Sequence, residues 1–287
     1  MILFFSSDIY FKLFYENLKK SGVSIDFLIT ESPKPKGRNR KITKNPAHQF
    51  ASSRKIPVLS PDKITDGFIN KIKDMKPEIA VLYAYGKILP KKFLEIFKLG
   101  IINIHPSLLP KYRGPSPIQS AILDNSNSIG YSIIKLSNKM DAGDIIYKKE
   151  FQLHRDNTFS DIKETLSNDA SIKLPEILKK YMSGKLLLTK QEDREATYCE
   201  LIKKSDGNIT ASDNAISAYN KYRAFIEWPG TKITTTNPNL IIKKAKLLSG
   251  KLKLLEVQLP GKNSIDAKSF KNRYSKLLTE LPDFVIM

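Results

Sequence analysis

Asn103 and His105 stand two residues apart in "IINIHPSLLPKYRG", where an apolar run gives way to prolines. Alternate residues of a strand face one side, so the carboxamide and the imidazole share a face while Ile102 and Ile104 share the other. Pro106 removes a ladder donor and Pro110 stiffens the turn beyond it, which puts the polar pair at the carboxyl mouth of a strand. An imidazole moves protons near neutral pH, and a carboxamide donates a hydrogen bond to an oxygen that gains charge. Together they suit acyl transfer, although a structural histidine hydrogen-bonded at a strand end would look the same. A third group comes from "MDAGDII", Met140 to Ile146, where Asp141 and Asp144 flank a glycine turn just before a second apolar run. Asp141 can pair with the imidazole, raising its basicity and fixing its tautomer, but turn acids with no such role are common.

These side chains need a scaffold that gathers strand ends. Ile2 to Phe5 reads as a strand, Phe11 to Lys19 as an amphipathic helix and Ile25 to Ile29 as a second strand, which makes a βαβ unit. The alternation continues: "DKITDGFINKIKDM" has helical period, "EIAVLYA" is a buried strand, "PKKFLEIFKLG" is a helix between Pro and Gly, and "IINIH" is a strand. The fold class expected is α/β, a Rossmann-like, mostly parallel sheet with helices on both faces and ligands at the carboxyl ends of its strands. After the helix "PIQSAIL", the runs "GYSIIKL" and "DIIYKKEFQL" suggest a hairpin-like extension, and a long helix from Asp161 to Tyr181 closes at Gly184. The polar, aperiodic stretch after Gly184 reads as a linker. Beyond it, "TKITTTN", "LIIKKAKLL" and "KLKLLEVQL" are short strands of a small β-barrel-like, OB-like domain. The partition expected is therefore residues 1–184, a linker over 185–203, and residues 204–287.

Composition narrows the partners. The chain has 287 residues, 41% of them hydrophobic, and a formal charge of +19, which points to a polyanion unless it reflects a generally Lys-rich surface. Placement favours the first reading. No acidic residue occurs from Ser32 to Pro61, whereas Lys34, Lys36, Arg38, Arg40, Lys41, Lys44, Arg54 and Lys55 do. From Thr197 onward there are 15 Lys and Arg against 8 Asp and Glu, and the lysines in "LIIKKAKLLSGKLKLL" alternate with apolar residues, as on a backbone-tracking face or a protected edge strand. A lone cysteine, Cys199, excludes an internal disulfide and a cysteine-built zinc site and suits a reducing cytoplasm. "MILFFSSDIYF" lacks a basic leader and is interrupted by Asp8, so it reads as a first strand rather than a signal segment, and no apolar run reaches membrane-spanning length. His48 and His154 are expected in surface or loop positions, and Trp228 as a packing anchor.

"AYGKILP", "INIHPSLLPKYRGPSPIQSAIL" and "MDAGDII", in this order and spacing, resemble the formyltransferase family that uses 10-formyltetrahydrofolate. "TYCELIKKSDGNI", "RAFIEWPGT" and "LLEVQLPGK" extend the resemblance over nearly the whole chain, toward the branch that acts on methionyl-tRNA in translation initiation. The resemblance implies formyl transfer from 10-formyltetrahydrofolate, a co-substrate, to the free amine of initiator methionyl-tRNA, by a cytoplasmic monomer with neither metal nor membrane partner. It implies Asn103 for oxyanion stabilisation and His105, oriented by Asp141, for proton relay; whether His105 or a water held by Asp141 takes the proton stays open. It further implies a folate site lined by Ser107, Leu108, Leu109 and Pro110, with Tyr85, Ile88 and Leu89 of "AYGKILP" as another wall. Arg113 and Gly114 form the neighbouring turn. The basic loop, with Lys36, Arg38, Arg40 and Lys41, is implied as a tRNA contact. One departure stands out: "FFSSDIYF" replaces a Gly-Thr-Pro turn after the first strand. A formyltransferase for an amino sugar nucleotide would share the site without needing the basic loop, and a noncatalytic basic RNA-binding protein would need only the fold.

Overall fold

A computed structural model describes residues 1–37 and 40–287. In chain order the N-terminal elements are β1 (Ile2–Phe5), α1 (Phe11–Lys20), β2 (Phe27–Ile29), β3 (Lys34–Lys36), β4 (Lys41–Thr43), α2 (Pro46–Ser53), β5 (Val58–Leu59), α3 (Asp66–Asp74) and β6 (Ile79–Leu82). They continue as α4 (Lys91–Leu94), β7 (Ile101–His105), α5 (Pro117–Leu123), β8 (Ser128–Lys135), β9 (Ile145–Gln152) and α6 (Phe159–Met182). A seven-stranded sheet runs in the order β5-β2-β1-β6-β7-β8-β9. The pairs from β5 to β7 are parallel, and β8 turns antiparallel against β7. This is the mostly parallel α/β sheet expected.

Both faces of the sheet are covered because its strands are apolar on both sides. Leu3 and Phe5 pack with Ile69 and Ile72 of α3 and Phe93 of α4, whereas Phe4 points the other way, its ring centroid 5.1 Å from Phe11 and 5.7 Å from Phe14 of α1. Each phenylalanine buried in this way contributes roughly 2 kcal/mol. α6 is fastened by polar links as well: Tyr131 donates to Asp169 at 2.7 Å, and Asn17 of α1 donates to Ser171 at 2.9 Å. The turn after β1 closes without glycine. Asp8 Oδ1 accepts from the Tyr10 N–H at 2.9 Å, and Ser6 Oγ accepts from the Asp8 N–H at 3.2 Å, so no residue of Ser6–Asp8 needs a positive φ.

The C-terminal elements are two short 3-10 turns, β10 (Asn208–Ile209), α7 (Ala215–Ala224), β11 (Thr231–Ile233), β12 (Leu240–Leu248), β13 (Lys251–Gln258), β14 (Ile265–Asp266), α8 (Ala267–Arg273), α9 (Ser275–Leu278) and β15 (Val285–Ile286). The six strands form one sheet-rich unit in which β13 pairs with β12 on one edge and with β14 and β15 on the other. Ile233, Leu240, Ile242, Leu252, Leu254, Val257 and Phe270 make its core. The strand reading missed α7, which Asn214 starts by accepting from the Ile216 and Ser217 N–H groups.

The residues divide into two compact units that differ from the linear partition: 1–113, 130–150 and 164–198 in one, 114–129, 151–163 and 199–287 in the other. Segments 114–129 and 151–163 join the C-terminal unit because its helix α7 needs partners. Tyr219 donates to Asp156 at 2.9 Å, and buried Arg223 donates to the Asn157 carbonyl at 2.9 Å. The expected linker is also corrected over most of its length. Thr189 exchanges two backbone hydrogen bonds with Ile145, at 2.8 and 2.9 Å, and the Thr197 carbonyl accepts from the Arg113 N–H at 2.8 Å, so 185–198, although largely exposed, is tied down at both ends of its length. Two smaller expectations fail. "PKKFLEIFKLG" is helical only over Lys91–Leu94, and Trp228 is 55% exposed, whereas Phe225, just past the end of α7, is buried.

Candidate active site

β7 delivers Asn103 and His105 to one face, as its alternation requires, and both are deeply buried, at 7% and 4% exposure. The Asp141 turn folds back onto them. Asp141 Oδ2 lies 3.6 Å from His105 Nδ1, within ion-pair range, and Asp141 Oδ1 lies 3.5 Å from Asn103 Nδ2, a long hydrogen bond. One carboxylate therefore spans both groups, and the structure brings together the three side chains that the sequence singled out.

The imidazole is oriented from its far side. His105 Nε2 is 2.9 Å from the Tyr112 carbonyl oxygen, and a carbonyl only accepts, so Nε2 carries the hydrogen. Nδ1 is then the nitrogen available to accept a proton, on the side where Asp141 and Asn103 converge. Asp141 itself sits at φ +49°, a left-handed conformation that Asp tolerates better than most residues. Two residues on, the chain passes so close to β8 that a Cβ on Gly143 would lie 1.7 Å from the Lys135 carbonyl oxygen. Only glycine fits there.

The 107–110 turn is locked internally. Ser132 Oγ donates to the Ser107 carbonyl at 2.8 Å and accepts from the Leu109 N–H at 3.0 Å, while Ser107 Oγ donates to the Lys111 carbonyl at 2.6 Å. Ser107 and Leu109 are fully buried; Leu108 and Pro110 are half-buried and show surface. On the loop after β6, Tyr85 is buried edge-on to Phe5 with its hydroxyl lacking a hydrogen-bond partner, and burial pushes that phenol up to about 12, with a further rise from Glu31. Leu89 packs into the core beside Phe93, whereas Ile88 is 94% exposed. The loops after β1, β6 and β7 leave the same edge of the sheet, and the Ser7 N–H donates to the Ala84 carbonyl at 3.1 Å.

The basic segment forms a small antiparallel ribbon rather than an open loop: Lys36 faces Lys41 in the β3–β4 register, and Lys36, Arg40 and Lys41 are exposed. Arg38 lies outside the described residues. The base of the ribbon is tied to the carboxyl end of β2, because Asn45 donates to Thr30 Oγ1 at 2.8 Å and to the Glu31 carbonyl at 3.0 Å. His48 is half-buried on α2, with burial and nearby Lys44 holding it below the ordinary histidine value, and His154 is exposed in a loop.

Sequence reasoning missed what surrounds the triad. Arg113 is 2% exposed and donates to Gln191 Oε1 at 3.0 Å and to Asp193 Oδ1 at 2.9 Å. A buried guanidinium requires such acceptors, but nothing in the local pattern of 185–195 marks which residues supply them. Among the described residues no group of three or more His, Cys, Asp or Glu side chains is placed to hold a metal ion, and no helix is long and apolar enough to cross a membrane.

A mostly parallel sheet with an Asn, His and Asp cluster at its carboxyl edge is joined by direct matches: formyl transferase over residues 1–178 and formyl transferase, C-terminal domain, over 201–252. The chain belongs to the formyl transferase family. Within it, the chain is 34% identical to the methionyl-tRNA formyltransferase of Borreliella burgdorferi strain ZS7, covering 98% of each, and 32% identical to that of Thermotoga maritima, covering 90% of each. The solved methionyl-tRNA formyltransferase from Clostridium thermocellum shares the fold with TM-score 0.62 and 20% identity, over 93% of this chain and 98% of that one. The sugar 3N-formyl transferase WlaRD shares it too, with TM-score 0.67 and 19% identity over 87% of each chain.

Proposed function

We propose that the chain transfers the formyl group of 10-formyltetrahydrofolate to the free amine of methionyl-initiator tRNA, for translation initiation. The convergence of Asn103, His105 and Asp141 at the carboxyl edge of the sheet carries this reading, and the near-full-length likeness to methionyl-tRNA formyltransferases supports the choice of acceptor.

The folate supplies a formyl carbon held on nitrogen. Asn103 Nδ2, only loosely held by Asp141, donates to the formyl oxygen as that oxygen gains charge. His105 Nδ1 accepts the proton that the attacking amine loses, and Asp141 balances the charge of the imidazolium so formed. His105 then returns a proton to the departing nitrogen. Leu108, Pro110, Ile88 and Leu89 supply apolar walls for the pterin, Tyr85, buried against Phe5, backs the 84–90 loop, and buried Ser107 and Leu109 hold the 107–110 turn in shape.

Lys36, Arg38, Arg40 and Lys41 contact tRNA phosphates. The C-terminal unit, a barrel-like OB-type domain in this reading, adds a second basic surface. Its exposed Lys243, Lys244 and Lys246 lie along β12, and Lys246 stands directly opposite Lys253 of β13, a like-charge pair that phosphate neutralisation relieves. The protein acts as a cytoplasmic monomer. The test is to mix purified protein and 10-formyltetrahydrofolate with methionyl initiator tRNA, deacylated tRNA or an amino sugar nucleotide. Transfer to methionyl-tRNA alone is expected. Transfer only to the sugar, or RNA binding without any transfer, overturns the reading.

A further inference from the structure

Gln191 stands in the polar stretch that reads as a linker, yet its side chain is built into the Asp141 turn. Its amide nitrogen donates both protons, to the Asp141 carbonyl at 2.8 Å and to the Gly143 carbonyl at 2.7 Å. Its amide oxygen accepts from Arg113 Nε at 3.0 Å, and this contact settles which end of the amide is nitrogen. Arg113 is anchored in turn by Asp193, by the Tyr198 hydroxyl at 3.3 Å and through its backbone by Thr197. The Thr189–Ile145 backbone pair brings this segment alongside the turn.

The turn needs such a clamp. Asp141 is held at φ +49°, and the bond within the turn from the Ala142 N–H to the Lys139 carbonyl is long, at 3.4 Å. We propose that Gln191 is a positioning residue for formyl transfer: by gripping the Asp141 and Gly143 carbonyls it holds the Asp141 carboxylate against His105, and Arg113 orients its amide. The proposal rests on the reading of Asp141 as part of the reacting site. Displacing a carboxylate by about 1 Å is enough to lower a rate by up to about 100-fold, so the clamp acts on turnover rather than on binding.

The test compares wild type with Gln191→Glu and Gln191→Ala. Glutamate keeps the size and the Arg113 partner but removes both donors and sets a negative oxygen against two carbonyls. The expected result is a kcat at least about tenfold lower, with KM for methionyl-tRNA and for 10-formyltetrahydrofolate within about threefold of wild type and a folded protein whose Tm falls by only several degrees. In an Asp141→Asn background, Gln191→Glu adds no further loss. A folded Gln191→Glu protein with wild-type kcat overturns the proposal. So does unfolding of both variants, or a rise in KM without a fall in kcat, because either assigns Gln191 to the fold or to binding. Failure of the wild type to formylate methionyl-tRNA is a separate result and counts against the proposed function itself.

Discussion

His105 is hung by its ring from the Tyr112 backbone, Nε2 to carbonyl oxygen at 2.9 Å, and this turns Nδ1 toward Asp141. Tyr112 is itself held at φ +58°, with its N–H donating to Thr197 Oγ1 at 2.8 Å. A segment nearly a hundred residues downstream of β7 thus helps decide which imidazole nitrogen accepts a proton. Orientation of this kind leaves the chemistry to the side chains and sets only their direction.

His105→Ala is expected to abolish formyl transfer, and Asn103→Ala to lower kcat by about 100-fold or more, as loss of one oxyanion donor does. Affinity for tRNA stays close to wild type in both. Single-turnover transfer and filter binding read the two quantities separately, and weakened binding that matched the lost rate would remove both residues from the chemistry.

Neutralising Lys36, Arg38 and Arg40 is expected to weaken tRNA binding while leaving the chemical step at saturating tRNA unchanged. The slope of log affinity against log salt flattens by about one for each phosphate no longer neutralised. Titrations across a salt series measure it, and an unchanged slope excludes the ribbon from tRNA contact.

Gly143→Ala is expected to destabilise the protein by about 3 kcal/mol, because the new methyl group meets a backbone oxygen that cannot rotate away. The Asp141 turn shifts with it, so activity falls further than the folded fraction accounts for. Urea unfolding alongside kcat per folded molecule checks both statements.

Asp213 carries a pH dependence. Burial raises its carboxyl, but hydrogen bonds from Lys221, the Thr210 N–H and Ser217, with the charge of Lys221, outweigh burial and hold it below the usual carboxylate range. The folded state thus binds fewer protons than the unfolded chain as pH falls through that range, so stability from this group is present above the unfolded value and is lost as pH drops through the folded one. Asp213→Asn is expected to cost about 2 kcal/mol at pH 7 and progressively less toward pH 3, measured by denaturant midpoints across pH. A cost that did not shrink in acid would assign the effect to packing.

Much of the architecture could be read from local pattern. Ile2–Phe5, Ile101–His105, Pro117–Leu123 and Leu240–Leu248 fall where apolar runs and prolines put them, because each run buries its own face against the sheet or core. Helix α7 was hidden since its period is diluted by Tyr, Asn, Lys and Arg, several of which are buried through hydrogen bonds rather than through apolarity. The basic run was legible as charge but not as a ribbon, since Lys-Pro-Lys carries no strand signal and its register comes from the facing strand.

The sequence by itself determined the alternating strands and helices and the identity of Asn103, His105 and Asp141, because residue type and period act over a few neighbours. Only the tertiary structure decided that Tyr112 orients His105, that Arg113 lies buried, and that Gln191, from the largely exposed stretch 185–198, clasps the Asp141 turn. Those relations join backbone carbonyls to side chains up to 50 residues away. A carbonyl is common to every residue, so no choice of letter records where its partner stands.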